Sequence, residues 1–95
     1  MKIRFDPCAL EELNDAADWY EAQGLDLQQR FRDEIDNALK RTVRNPSWGI
    51  TLNAELYRVR VKIFPYKIIY AVLDGSIVVV AVAHNHRAPD YWVGR

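Results

Sequence analysis

Ninety-five residues, 49% of them apolar, supply one small domain with a single core. Thirteen Lys and Arg against thirteen Asp and Glu leave no net charge, so nothing in the whole chain marks it as a basic nucleic-acid binder. One cysteine excludes an internal disulfide, and no run approaches the roughly 20 apolar residues of a membrane span, so the expectation is a soluble cytoplasmic protein.

In chain order, Ile3 and Phe5 alternate with Lys2 and Arg4 as in a short strand ending at Asp6-Pro7. Asp as N-cap with Pro at the first helical position then opens a helix from Pro7 to about Gln23. Leu10, Leu13, Ala16, Ala17 and Tyr20 form its apolar stripe, and Gly24 ends it. Glu11 and Glu12 read as partners of the helix dipole in its first turn. A second stripe, Leu27, Phe31, Ile35, Ala38, Leu39 and Thr42 or Val43, runs to Asn45-Pro46, so the two helices make an antiparallel hairpin. Asn45 to Gly49 is rich in breakers and reads as a loop.

Three strands follow, about Glu55 to Ile63, Tyr66 to Leu73 and Ser76 to His84. Asp74-Gly75 predicts a two-residue hairpin between the last two. The expected fold class is α+β, in the order β-α-α-β-β-β over residues 1–95, with the helical hairpin on one face of a mainly antiparallel sheet. The strands 68–73 and 77–83 are apolar on both faces, so the face away from the helices must be covered by the C-terminal tail or by a partner.

Charge follows this division. From Pro7 to Asn45 nine acids face five bases, whereas from Ala54 to Arg95 three acids face six bases. In a strand, Arg58, Arg60 and Lys62 point away from Tyr57, Val59, Val61 and Ile63. Counting back from the Asp74-Gly75 turn pairs Lys67 with Val82, which puts Lys67, His84 and His86 on one face; joined to the three cations of the preceding strand, they make a site for an anion.

That set suits metal-free RNA cleavage, which needs a base for the 2′-hydroxyl, cations for the phosphate and an acid for the leaving oxygen. His84 and His86 are candidates for proton transfer, since imidazoles in general titrate near pH ~6.5. Arg58, Arg60, Lys67 and Arg87 would stabilise charge, Lys62 would hold the backbone, and Tyr91 or Trp92 would stack on a base. Such a row of cations also occurs as a solvated face or a protected sheet edge, and Tyr91 and Trp92 could equally seal a core. Two histidines without a third well-spaced ligand predict no metal, and no phosphate loop or cofactor motif is present.

Taken in order, several segments resemble the RelE/ParE superfamily of toxins from bacterial type II toxin-antitoxin modules, which includes plasmid-stabilisation proteins. They are residues 7–13 with Asp18, Trp19 and Tyr20, then Phe31, Asn45-Pro46, Tyr57 to Arg60, Phe64 to Tyr70, and His84 to Trp92. The resemblance implies a growth inhibitor neutralised by a cognate antitoxin whose amphipathic or extended segment wraps it. It also implies one of two mechanisms. RelE-like members cut mRNA in the ribosome with a basic set that Arg58, Arg60, Lys67 and Arg87 match in type, although Tyr91 falls slightly before the catalytic tyrosine of that branch. ParE-like members poison DNA gyrase by binding, and the long helical hairpin and the histidine ending the last strand resemble them at least as closely. The four retained basic positions tip the sequence toward the ribonuclease; a decayed, non-toxic binding module is the third possibility.

Overall fold

The computed structural model describes residues 1–53, 55–87, 91–93 and 95. Its elements are β1 (Lys2–Phe5), α1 (Pro7–Gln23), α2 (Leu25–Arg44), β2 (Ile50–Thr51), β3 (Tyr57–Arg60), β4 (Tyr66–Leu73) and β5 (Ser76–His84). They form an α+β domain in which two helices lie on a five-stranded sheet of order β1-β5-β4-β3-β2. β1 pairs parallel with β5, and the remaining neighbours are antiparallel. The extra strand, β2, is two residues long and lies just after the predicted loop.

Local sequence accounts for the element ends. The Asp6 carboxylate accepts a 2.9 Å hydrogen bond from the Cys8 amide, and Pro7 gives up an N–H that the first turn leaves unpaired anyway. Gly24 is the whole link between the helices. Its φ of 156° is one that L side chains rarely adopt, and its N–H bonds to the carbonyls of Tyr20 and Glu21. Asp74 and Gly75, with φ of 48° and 71°, give the hairpin turn the doubly positive backbone that matches strand twist.

The main core lies between the helices and one face of the sheet. Ala9, Leu13, Ala16 and Ala17 of α1 and Phe31, Ile35, Ala38 and Leu39 of α2 close on Ile68, Val79 and Val82. Leu10 and Leu27, expected on the buried stripes, are instead exposed. At the hairpin end of the core, Tyr20, Phe31, Phe64 and Tyr66 pack with ring centroids 4.9 to 6.3 Å apart, at tilted and edge-on angles that suit the aromatic quadrupole. The opposite face is covered by Trp92 of the C-terminal tail, which packs with Ile69, Ala81 and Ala83.

The segment Asn45 to Gly49 is pinned by the Tyr70 hydroxyl, which donates to the Pro46 carbonyl at 2.9 Å. A β-carbon on Gly49 would come within 2.5 Å of that hydroxyl and 3.0 Å of the Arg58 carbonyl, so only glycine lets β2 settle against β3 here. No helix among the described residues is long and apolar enough to cross a membrane.

Candidate functional site

The sheet carries one irregularity that decides where the charged groups go. From the turn, Leu73 pairs with Ser76, Ala71 with Val78 and Tyr70 with Val79, but Ile69 then pairs with Ala81, so Val80 is an extra residue on β5. A bulge of this kind moves every later residue of its strand by one position, and a one-residue shift exchanges faces. Lys67 therefore pairs with Ala83 and not, as simple counting predicts, with Val82. His84 pairs with Tyr66 and turns toward α1, away from Lys67.

The expected single patch is thus two groups. On the face away from the helices, Arg58 stands beside Ile69, and Arg60 beside Lys67, through the β3–β4 register. The Lys67 ammonium lies 5.8 Å from the centre of the Trp92 ring. Arg58 is partly buried, and its Nε has no hydrogen-bond partner among the described residues. Lys62 leaves this group: β3 ends at Arg60, Val61 enters the main core, and Lys62 lines a cavity with Glu34, Lys40 and Arg44 of α2. β1 adds two cations that counting along the last three strands does not find. Arg4 pairs with Val78 and Lys2 with Ser76, which puts both on this same face.

The second group is at the α1 side of β5. His84, Arg87 and Tyr91 line a cavity of about 260 Å³ with Glu12, Asp15, Trp19 and Tyr66. His84 Nδ1 accepts the His86 amide at 3.1 Å, and the two imidazole centroids are 5.3 Å apart. The Arg87 guanidinium lies 4.2 Å from the Tyr91 ring centre.

Glu12 organises this region. β1 ends at Phe5, opposite Val79, so among the described residues the edge of β5 from Val80 onward has no neighbouring strand. Glu12 Oε1 accepts the Val82 amide at 3.1 Å and the Arg95 guanidinium at 2.7 Å, while Oε2 accepts the Tyr91 hydroxyl. Arg95 also donates to the Val80 carbonyl at 3.1 Å. One side chain from α1 and one from the tail therefore satisfy backbone groups that a strand would otherwise take. Burial pushes the Tyr91 phenol far above its ordinary range, and the hydrogen bond to Glu12 adds to this. The same carboxylate, chiefly by its hydrogen bond, raises Arg95.

Three further sequence assignments change here. Tyr91, a candidate for catalysis or stacking, has its hydroxyl committed to Glu12. Trp92, a candidate base stacker, is only 5% exposed and packs on the sheet. Glu12, read as a dipole partner, is the group that anchors the tail. The available signal was its position three residues after Ala9 and four before Ala16, at the flank of the buried stripe. Among the described residues no group of three His, Cys, Asp or Glu could hold a metal ion.

Comparison with known proteins decides the family. The model of the ParE toxin of type II toxin-antitoxin systems, parDE, matches residues 3–89. The chain belongs to the ParE toxin family. It is the toxin of a type II toxin-antitoxin system, a family whose members work with a cognate antitoxin. Of solved structures, the chromosomal ParDE system from P. aeruginosa matches with a TM-score of 0.74 at 16% identity, over 88% of this chain and 95% of that one. The isolated E. coli RelE toxin matches with a TM-score of 0.64 at 18% identity, over 95% of this chain and 89% of that one. At these identities both likenesses speak for the fold. No curated protein sequence matches the chain. Of the segments that carry the resemblance to the RelE/ParE superfamily, Ala88, Pro89 and Asp90 lie outside the described residues.

Proposed function

We propose that this ParE-family toxin arrests growth as a gyrase poison that acts by binding, and that it does not cut RNA. The observation that carries this reading is the bulge at Val80. Because of it the cations Arg58, Arg60 and Lys67 have Ile69, Ala81 and Ala83 as their neighbours on the sheet, while His84 and Arg87 lie around the edge beside α1, with the His86 ring 5.3 Å from that of His84. Metal-free phosphodiester cleavage needs a proton acceptor and a proton donor within hydrogen-bond reach of the reacting oxygens, next to the charge-stabilising groups. On the cationic face Lys67 stands with Arg58 and Arg60, apart from Arg87 and His84. The phenol that could have served, Tyr91, is tied to Glu12 and held protonated by burial.

A binder needs only a shaped and charged surface, and the family match favours that branch. The test sets the two mechanisms side by side. Purified toxin incubated with DNA gyrase, ATP and supercoiled plasmid should accumulate linear DNA after detergent and protease treatment. The same preparation on translating ribosomes should leave the mRNA intact by primer extension. Codon-positioned mRNA cleavage, lost in Arg58→Ala or Arg87→Ala, would overturn the proposal.

A further inference from the structure

The face of the sheet opposite the helices carries cations on three strands. Lys2 and Arg4 stand on β1, Arg58 and Arg60 on β3, and Lys67 on β4 beside Arg60. Lys2, Arg4 and Arg60 are exposed, Arg58 and Lys67 partly so. None of the five is in an ion pair among the described residues, where Arg95 with Glu12 is the one salt bridge. The helices on the other side hold most of the acids. A neutral chain has thus been sorted into a positive face and a negative one.

We propose that this face is a docking surface for the phosphate backbone of duplex DNA, bound by the toxin itself. Two features select a duplex. β1 and β3 are separated by β5 and β4, three interstrand steps or about 14 Å, close to the ~12 Å width of a major groove, so the two cation lines can meet phosphates on both rims of one groove. Single strands are gripped by exposed aromatic platforms, and the ring lying over this face, Trp92, is packed against Ile69 and Ala81 with 5% of its surface free. The proposal takes its biological setting from the gyrase reading, in which the target is a protein already holding DNA, but its test contains no gyrase.

Fluorescence anisotropy of a labelled mixed-sequence duplex would be followed as salt is raised. Five phosphate contacts give a log–log slope near −4.5, so affinity should fall about 500-fold between roughly 50 and 200 mM salt. With Lys2→Ala and Arg4→Ala together, three contacts remain and the same change should cost only about 40-fold. Both residues are exposed on the first strand, and the far-ultraviolet circular dichroism and melting of the variant should match wild type. Arg30→Ala, on the outside of α2, should leave the slope unaltered. A slope indifferent to Lys2 and Arg4 would overturn the assignment. So would tighter binding of single-stranded RNA with the same phosphate count, or of a polyglutamate peptide, which would give the face to another partner. Duplex binding without gyrase trapping would sink the functional reading and keep this one; trapping without duplex binding would do the reverse.

Discussion

On the side of the sheet turned to the helices, Ile68, Val79 and Val82 join Leu13, Phe31 and Ile35 in one apolar cluster, whereas on the other side Ile69, Ala81 and Ala83 form a smaller one with Trp92, flanked by Leu56, Val80 and Tyr91. The first face is sealed by two helices, through Ala9, Leu13, Ala16 and Ala17 of α1 and Phe31, Ile35, Ala38 and Leu39 of α2. The second is sealed by a short tail, anchored through Tyr91 and Arg95 to one carboxylate. Burial of apolar area is non-directional and tolerates small shifts, while the tail depends on a few hydrogen bonds of defined geometry. The positive charges stand on the thinly covered face, where they remain free to meet a partner.

The contrast predicts a hierarchy of effects. Phe31 is fully buried and packs on Tyr20, Phe64 and Tyr66, so Phe31→Ala should destabilise the fold by about 3–5 kcal/mol in urea unfolding. A loss below about 1 kcal/mol would mean that the helix-side core is not the dominant source of stability.

Glu12→Ala should cost less in global stability, about 1–3 kcal/mol, because it strands the Val82 amide and releases Tyr91 and Arg95. Its distinguishing effect is local: cleavage within the tail by a nonspecific protease should become fast while the remaining domain stays intact. Equal protease resistance in wild type and variant would mean that the carboxylate does not hold the tail.

The smallest effect is one of pH. Tyr91 has its folded pKa raised, mainly by burial, so its contribution is fully present below the unfolded value of about 10 and is lost as pH rises from there toward the folded value. Tyr20, Tyr66 and Tyr70 are raised by burial as well and fade over the same alkaline range. The comparison of Tyr91→Phe with wild type isolates one of the four. Between about pH 8 and 11 the variant should lose less stability than wild type, and parallel decline would show that Tyr91 is not protected in the fold.

The residues themselves make the elements readable. Asp6-Pro7 opens α1, Gly24 separates the helices, and Asp74-Gly75 closes the hairpin, each because the local backbone demands that chemistry. β1, α1, β4 and β5 accordingly begin and end where the sequence predicts. β2 was not legible, since two residues carry no periodicity, and its position depends on Tyr70 reaching back to Pro46 and on the space at Gly49. The site was only half legible. Arg58, Arg60 and Lys67 share a face as read, while Lys62, His84, His86 and Arg87 do not join them.

By itself, then, the sequence determined the order and kind of the long elements, the apolar stripes that bind helices to sheet, and the division of charge between the two halves of the chain. Only the tertiary structure decided which charges act together. Ile77 to Ala83 is an unbroken run of Val, Ala and Ile, so either alternation buries equally apolar side chains, and the sequence contains nothing to reveal that Val80 is the extra residue. Pairing with β4 on one side and with the Glu12–Arg95 clasp on the other fixes that choice, and with it the face on which each imidazole and each cation stands.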